Sequence, residues 1–141
     1  DHYLDWELPD PFMIEATASY SGAANNGYGL IFQYLDDSRF YVFRISGDGF
    51  YTVERAEGDI LTTLVPWTPS ELIDQQELWG NVLTVMGRGD TYALYINAQL
   101  ADGFSDSAYS GGSFGFIVDN FSQDAPASFY FDDYIIGTPG E

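Results

Sequence analysis

Cysteine is absent from this chain, and so is lysine. The first absence removes any disulfide framework, thiolate zinc cluster or thiol nucleophile. The second removes Schiff-base chemistry and the lysine of a phosphate-cradling loop. The single histidine, His2, stands at the very start, where chain ends are commonly poorly ordered, so a serine or threonine nucleophile has no base to activate it. Basic residues number four (Arg39, Arg44, Arg55 and Arg88) against 22 acidic ones, a formal net charge of -18. Such a charge repels phosphate backbones and anionic headgroups, which excludes nucleic acid as a partner. No apolar run approaches the roughly 18 residues of a membrane-spanning helix, so membrane insertion is not expected. The opening residues Asp1-His2-Tyr3-Leu4-Asp5 lack the basic-then-apolar layout of a signal peptide: either a leader has been removed from a mature fragment, or the chain was never exported.

What is present is aromatic and alternating. Of the 141 residues, 45% are hydrophobic and 18% aromatic, spread along the chain, and a domain of this length buries roughly 70% of the surface its unfolded chain exposes. Phe12, Ile14, Ala16 and Ala18 alternate with Met13, Glu15, Thr17 and Ser19, the period of a strand with one wet face. Further runs rich in aromatic and β-branched residues lie at 28–35, 40–46, 50–55, 60–65, 82–88, 92–97, 99–104, 114–119 and 128–136. Turn signals separate them, among them Asp36-Asp37-Ser38, Gly47-Asp48-Gly49, Glu57-Gly58-Asp59 and the Gly-flanked Arg88-Gly89-Asp90. Short strands at this spacing predict one all-β domain over residues 1–141, a two-sheet antiparallel jelly-roll sandwich. The segment Pro66 to Asp74, with two prolines and a capping Ser70, reads as an ordered loop across one end.

The order of Tyr28-Gly29-Leu30-Ile31-Phe32-Gln33-Tyr34, Asp36-Asp37-Ser38-Arg39-Phe40-Tyr41, Gly47-Asp48-Gly49-Phe50-Tyr51, Leu94-Tyr95-Ile96-Asn97 and Phe131-Asp132-Asp133-Tyr134 resembles the concanavalin A-like lectin/glucanase superfamily. More narrowly it is similar to laminin G-like bacterial extracellular domains, over about residues 11 to 136. The resemblance implies an exported, extracellular or cell-surface module, part of a larger protein. Two departures stand out. Gln33 replaces a common Arg, which implies a lost polar anchor, and Asn97-Ala98 replaces an Asn-Gly turn. Superfamily sandwiches often hold a structural Ca²⁺, and the match points to Asp132, with Glu15 or the acidic stretch Asp5 to Asp10 as its partner; an acidic, oxygen-rich surface suits that ion.

The chemistry left to this chain is that of carboxylates and aromatic faces. The acidic triplet Glu-x-Asp-x-x-Glu of the superfamily's glucanases has no counterpart, since Glu54-Arg55-Ala56-Glu57-Gly58-Asp59 is spaced differently, so a glycosidase is only the remaining enzymatic alternative. Tyrosine and tryptophan near loops, namely Trp67, Trp79, Tyr41, Tyr51 and Tyr109, are candidates for an exposed platform on which a sugar ring stacks. The expected function is a non-catalytic module that binds carbohydrate or another cell-surface ligand, with a structural or protein-interaction domain as the alternative. Its sign would be a surface without groove or platform.

Overall fold

The computed structural model describes residues 2–3, 7–21, 27–74, 81–119 and 128–137, with side chains for 7–17, 28–74 and 81–115. The period-two segments form eleven strands: β1 (His2–Tyr3), β2 (Phe12–Ser21), β3 (Gly27–Asp36), β4 (Arg39–Ser46), β5 (Phe50–Glu57), β6 (Ile60–Pro69), β7 (Asn81–Arg88), β8 (Thr91–Ile96), β9 (Gln99–Ser105), β10 (Ser113–Asp119) and β11 (Ser128–Gly137). No helix occurs among the described residues. One sheet has the order β1-β10-β3-β4-β5-β6 and the other β11-β2-β7-β8-β9, all pairs antiparallel. Hairpins run from β3 to β6 and from β7 to β9, and the chain changes sheet after β1, β2, β6, β9 and β10. That winding is a jelly-roll sandwich, as the alternation predicts.

Inward positions of both sheets meet in one core. Tyr28, Leu30 and Phe32 of β3, Tyr41, Phe43 and Ile45 of β4, and Tyr51 and Val53 of β5 face Phe12, Ile14 and Ala16 of β2, Leu83 and Val85 of β7, and Tyr92, Leu94 and Ile96 of β8. Burying an aromatic or branched side chain of this size stabilises the fold by about 1.5–3 kcal/mol each. Around Tyr92 the rings of Phe32, Tyr41 and Phe104 lie 4.9 to 5.5 Å away by centroid, in stacked and tilted arrangements.

Three local features depart from the sequence reading. The segment from Pro66 does not loop away at once: β6 continues through Pro69, and only 70–74 turn, with the Leu72 N–H donating to Ser70 Oγ at 3.2 Å. Proline is tolerated there because β6 is the last strand of its sheet, where a missing N–H costs no ladder bond on the open side. Gln33, expected to leave a polar anchor missing, is itself the anchor. It sits at φ 49° in a bulge, its Nε2 donates to Tyr92 Oη at 3.3 Å and its Oε1 accepts from Gly112 N at 3.0 Å. A β-carbon on Gly112 would lie 2.3 Å from the Gln33 carbonyl carbon, so only glycine permits this approach. At the β8–β9 turn both Asn97 (φ 52°) and Ala98 (φ 68°) are left-handed, so the hairpin keeps the geometry of an Asn-Gly turn with an alanine forced into it.

Candidate functional site

The tyrosines expected on an exposed platform are inside the sandwich. Tyr41, Tyr51 and Tyr109 belong to the buried core, which corrects the expectation for all three. The physical reason is parity: Tyr41 and Tyr51 share the inward alternation of Phe43 and Val53, and their hydroxyls are satisfied at the sandwich rim. Tyr41 donates to Asp106 Oδ2 at 2.5 Å, Tyr51 to Asp102 Oδ2 at 2.9 Å and Tyr109 to the Ala56 carbonyl at 2.7 Å. Burial, and then the adjacent carboxylate, pushes Tyr51 up to about 12 and raises Tyr41 further. Trp79 lies outside the described residues.

Trp67 lies at the surface, 43% exposed on edge strand β6. Its neighbours define a face that the sequence reading overlooked. On the six-stranded sheet, positions of the opposite parity to the core form cross-strand rows: Phe40 beside Ala56 beside Leu61, then Ile31, Val42, Glu54 and Thr63, then Arg44 beside Thr52. Ile31, Val42 and Ala56 are buried although they lie outside the core cluster, so this outward side has an apolar floor. Above it the Arg44 guanidinium forms a salt bridge with Glu54, each side chain only 14% exposed. The Arg44 Cζ also stands 5.8 Å from the Trp67 ring centroid, within the range of a cation–π contact.

This face has two flanks. Toward one end, Phe50 pairs with Pro69 and both border an open hollow of about 400 Å³ whose other lining includes Asp48, Ser70 and Glu71. Toward the other, Tyr34 stacks on Phe40 with centroids 6.0 Å apart. Four of the exposed large hydrophobic residues (Phe50, Ile60, Leu61 and Trp67) belong to β5 and β6. A fixed guanidinium and carboxylate beside an open indole suit a polyhydroxylated ring: vicinal hydroxyls donate to the carboxylate and accept from the guanidinium, while C–H faces pack on the aromatic. Arg44 and Glu54 both sit at positions of opposite parity to the core, but only the β4–β5 register brings them together.

Elsewhere less converges. Glu15 faces outward on β2, where its carboxylate accepts from Thr84 Oγ1 at 3.1 Å. Asp132 has its side chain outside the described residues. Its backbone lies in the β11 bulge between Phe131 and Tyr134, close to Ile135, the residue opposite Glu15. Among the described residues no three acidic or histidine side chains cluster. Arg88-Gly89-Asp90 is the exposed tip of the β7–β8 hairpin, and a shallow depression of about 440 Å³ below it is lined by Met86, Gly87, Arg88, Thr91 and Ala93, with a single charged group.

No protein-family model and no curated protein matches the chain. Its fold, however, is a known one. The carbohydrate-binding module CBM66 from Bacillus subtilis superposes with a TM-score of 0.74 at 18% identity, covering 92% of this chain and 76% of that one. Sheep galectin-11, in complex with glycerol, gives 0.70 at 11% identity over 96% of each chain. AlgAT5, an alginate lyase of polysaccharide lyase family 7, gives 0.57 at 15% identity, covering 94% of this chain and 61% of that one. A binding module, a lectin and a lyase thus share this sandwich, and the choice among such roles rests on the site.

Proposed function

We propose that the protein is a non-catalytic carbohydrate-binding module of the concanavalin A-like, laminin G-like kind, acting outside the cell as part of a larger exported protein. The observation that carries this reading is the Arg44–Glu54 pair set against the exposed Trp67 on the outward face of the six-stranded sheet. The pair holds its polar atoms in place before a ligand arrives, which lowers the ordering cost of binding. The same arrangement speaks against hydrolysis, because the Glu54 carboxylate is engaged by the Arg44 guanidinium rather than left free for acid or base work. The chemistry left is recognition. Isothermal titration against a panel of neutral oligosaccharides tests this: Trp67→Ala and Arg44→Ala each weaken binding by roughly tenfold or more while the far-ultraviolet spectrum is unchanged. Equal affinity of both variants and the parent sinks the assignment of the site.

A structural calcium ion between Glu15 and Asp132 belongs to the same proposal. The Glu15 carboxylate and the neighbouring Thr84 hydroxyl are hard oxygen donors of the type Ca²⁺ takes. An ion there would tie β11 to β2, far from the Trp67 face, and would serve stability alone.

A further inference from the structure

We infer that the ligand is an extended stretch of an uncharged glycan chain lying along the strands, rather than a terminal sugar held in a pocket; this rests on the carbohydrate reading above. Among the described residues, contact surface on the Trp67 face continues beyond the Arg44–Glu54 pair in both directions. Along β4, Phe40 lies four residues from Arg44, about 13 Å away at the strand rise. There Phe40, stacked on Tyr34, forms a row with Ala56 and the exposed Leu61. In the other direction Phe50 and Pro69 lead into the open hollow lined by Asp48, Ser70 and Glu71. Along β5, Phe50 to Ala56 is six steps, about 20 Å, far longer than one sugar ring needs. Two apolar stations with a polar pair between them match the alternation of ring faces and hydroxyl edges along a glycan.

The charge of the ligand follows from the same residues. Arg44 is neutralised by Glu54, so the centre offers directed hydrogen bonds without net positive charge. Asp48 and Glu71 at the hollow add negative charge to a chain already at -18. A uronate or sulfated chain is repelled by this field, whereas neutral hydroxyls donate to the carboxylates.

The test is titration of the chain with glucose and with cello-, laminari- and manno-oligosaccharides from disaccharide to hexasaccharide, alongside an oligogalacturonate. For the series that binds, the hexasaccharide is expected to bind at least about tenfold more tightly than the disaccharide. Phe40→Ala and Leu61→Ala should each collapse most of that ratio, and the exposed Leu61 position keeps the test sound if the Phe40 variant folds poorly. Oligogalacturonate is expected not to bind. Equal affinity for disaccharide and hexasaccharide overturns this inference while leaving the carbohydrate reading intact, as does tighter binding of the oligogalacturonate. Silence of every oligomer, short and long, overturns both.

Discussion

Asp106 offers a measure of how firmly the buried tyrosines belong to the architecture. Its carboxylate receives the Tyr41 hydroxyl at 2.5 Å and the Arg55 guanidinium at 2.6 Å, and a third bond comes from the Ala108 N–H at 3.2 Å. The Arg55 and Asp106 side chains are 22% and 14% exposed, between a surface pair worth about 0–1 kcal/mol and a fully buried one whose disruption costs about 3–5 kcal/mol. Asp106→Ala leaves the Tyr41 hydroxyl with the bond it accepts from the Tyr109 N–H at 3.2 Å and, as a donor, the long contact to the residue 106 carbonyl at 3.4 Å, and leaves Arg55 with Glu57 at 4.0 Å. The cost should be about 2–3 kcal/mol, a fall in Tm of roughly 7–10 °C for a domain of this size. Asp106→Asn retains an acceptor for Tyr41 while losing the ion pair and should cost about half as much. Thermal and urea unfolding followed by circular dichroism give these values, and glycan affinity below the transition should be unchanged. A loss below about 0.5 kcal/mol for the alanine variant, or equal losses for alanine and asparagine, refutes the reasoning.

Ala98→Gly should stabilise the protein by about 1 kcal/mol, read as a higher urea midpoint at constant slope, because it relieves a left-handed alanine at φ 68°. Alkaline pH should unfold the chain: Tyr51, Tyr41, Tyr92 and Tyr109 all have pKa values raised first by burial, so their contribution is complete below the unfolded value near 10 and is lost as pH rises toward and beyond about 12. Tyrosinate absorbance should therefore appear together with the loss of near-ultraviolet dichroism, and ionisation of these buried rings in a still-folded protein would contradict the burial. Calcium should raise Tm and a chelator should lower it, with Glu15→Gln abolishing the difference; a Tm indifferent to calcium in the parent protein removes the ion from the proposal.

The strands were legible because one face of each is buried, and a period of two cannot slip by one residue without turning every ring outward. The end of Ile60–Pro69 is not legible locally, because proline in isolation signals a break and only the sheet order shows that β6 is the last strand of its sheet. Tyrosine misled differently. A phenol near a turn reads as amphipathic, yet Tyr41 and Tyr51 lie in register with buried Phe43 and Val53, and partners 65 and 51 residues away, Asp106 and Asp102, make that burial tolerable. Such long-range pairings leave no local mark. Arg44 and Glu54 were hidden for a related reason: ten residues apart, they come together only through the β4–β5 register, in which Val42 opposes Glu54 and Arg44 opposes Thr52.

That register also lets structure and function be separated at the site. Replacing Arg44 alone by Met leaves Glu54, 14% exposed, without its guanidinium, which should cost about 2 kcal/mol of stability, and Glu54→Met should cost a similar amount for the converse reason. The double replacement Arg44→Met with Glu54→Met substitutes apolar volume above the Ile31, Val42 and Ala56 floor, so its stability should return to within about 1 kcal/mol of the parent. Glycan affinity should follow a different course. If the pair's hydrogen bonds recognise hydroxyls, the double variant binds no better than either single one, because no donor or acceptor has been restored. Titration and urea unfolding on the same four proteins separate the two roles. Recovery of binding together with stability would mean that the pair merely braces the sheet and that Trp67 and the apolar stations carry the ligand alone.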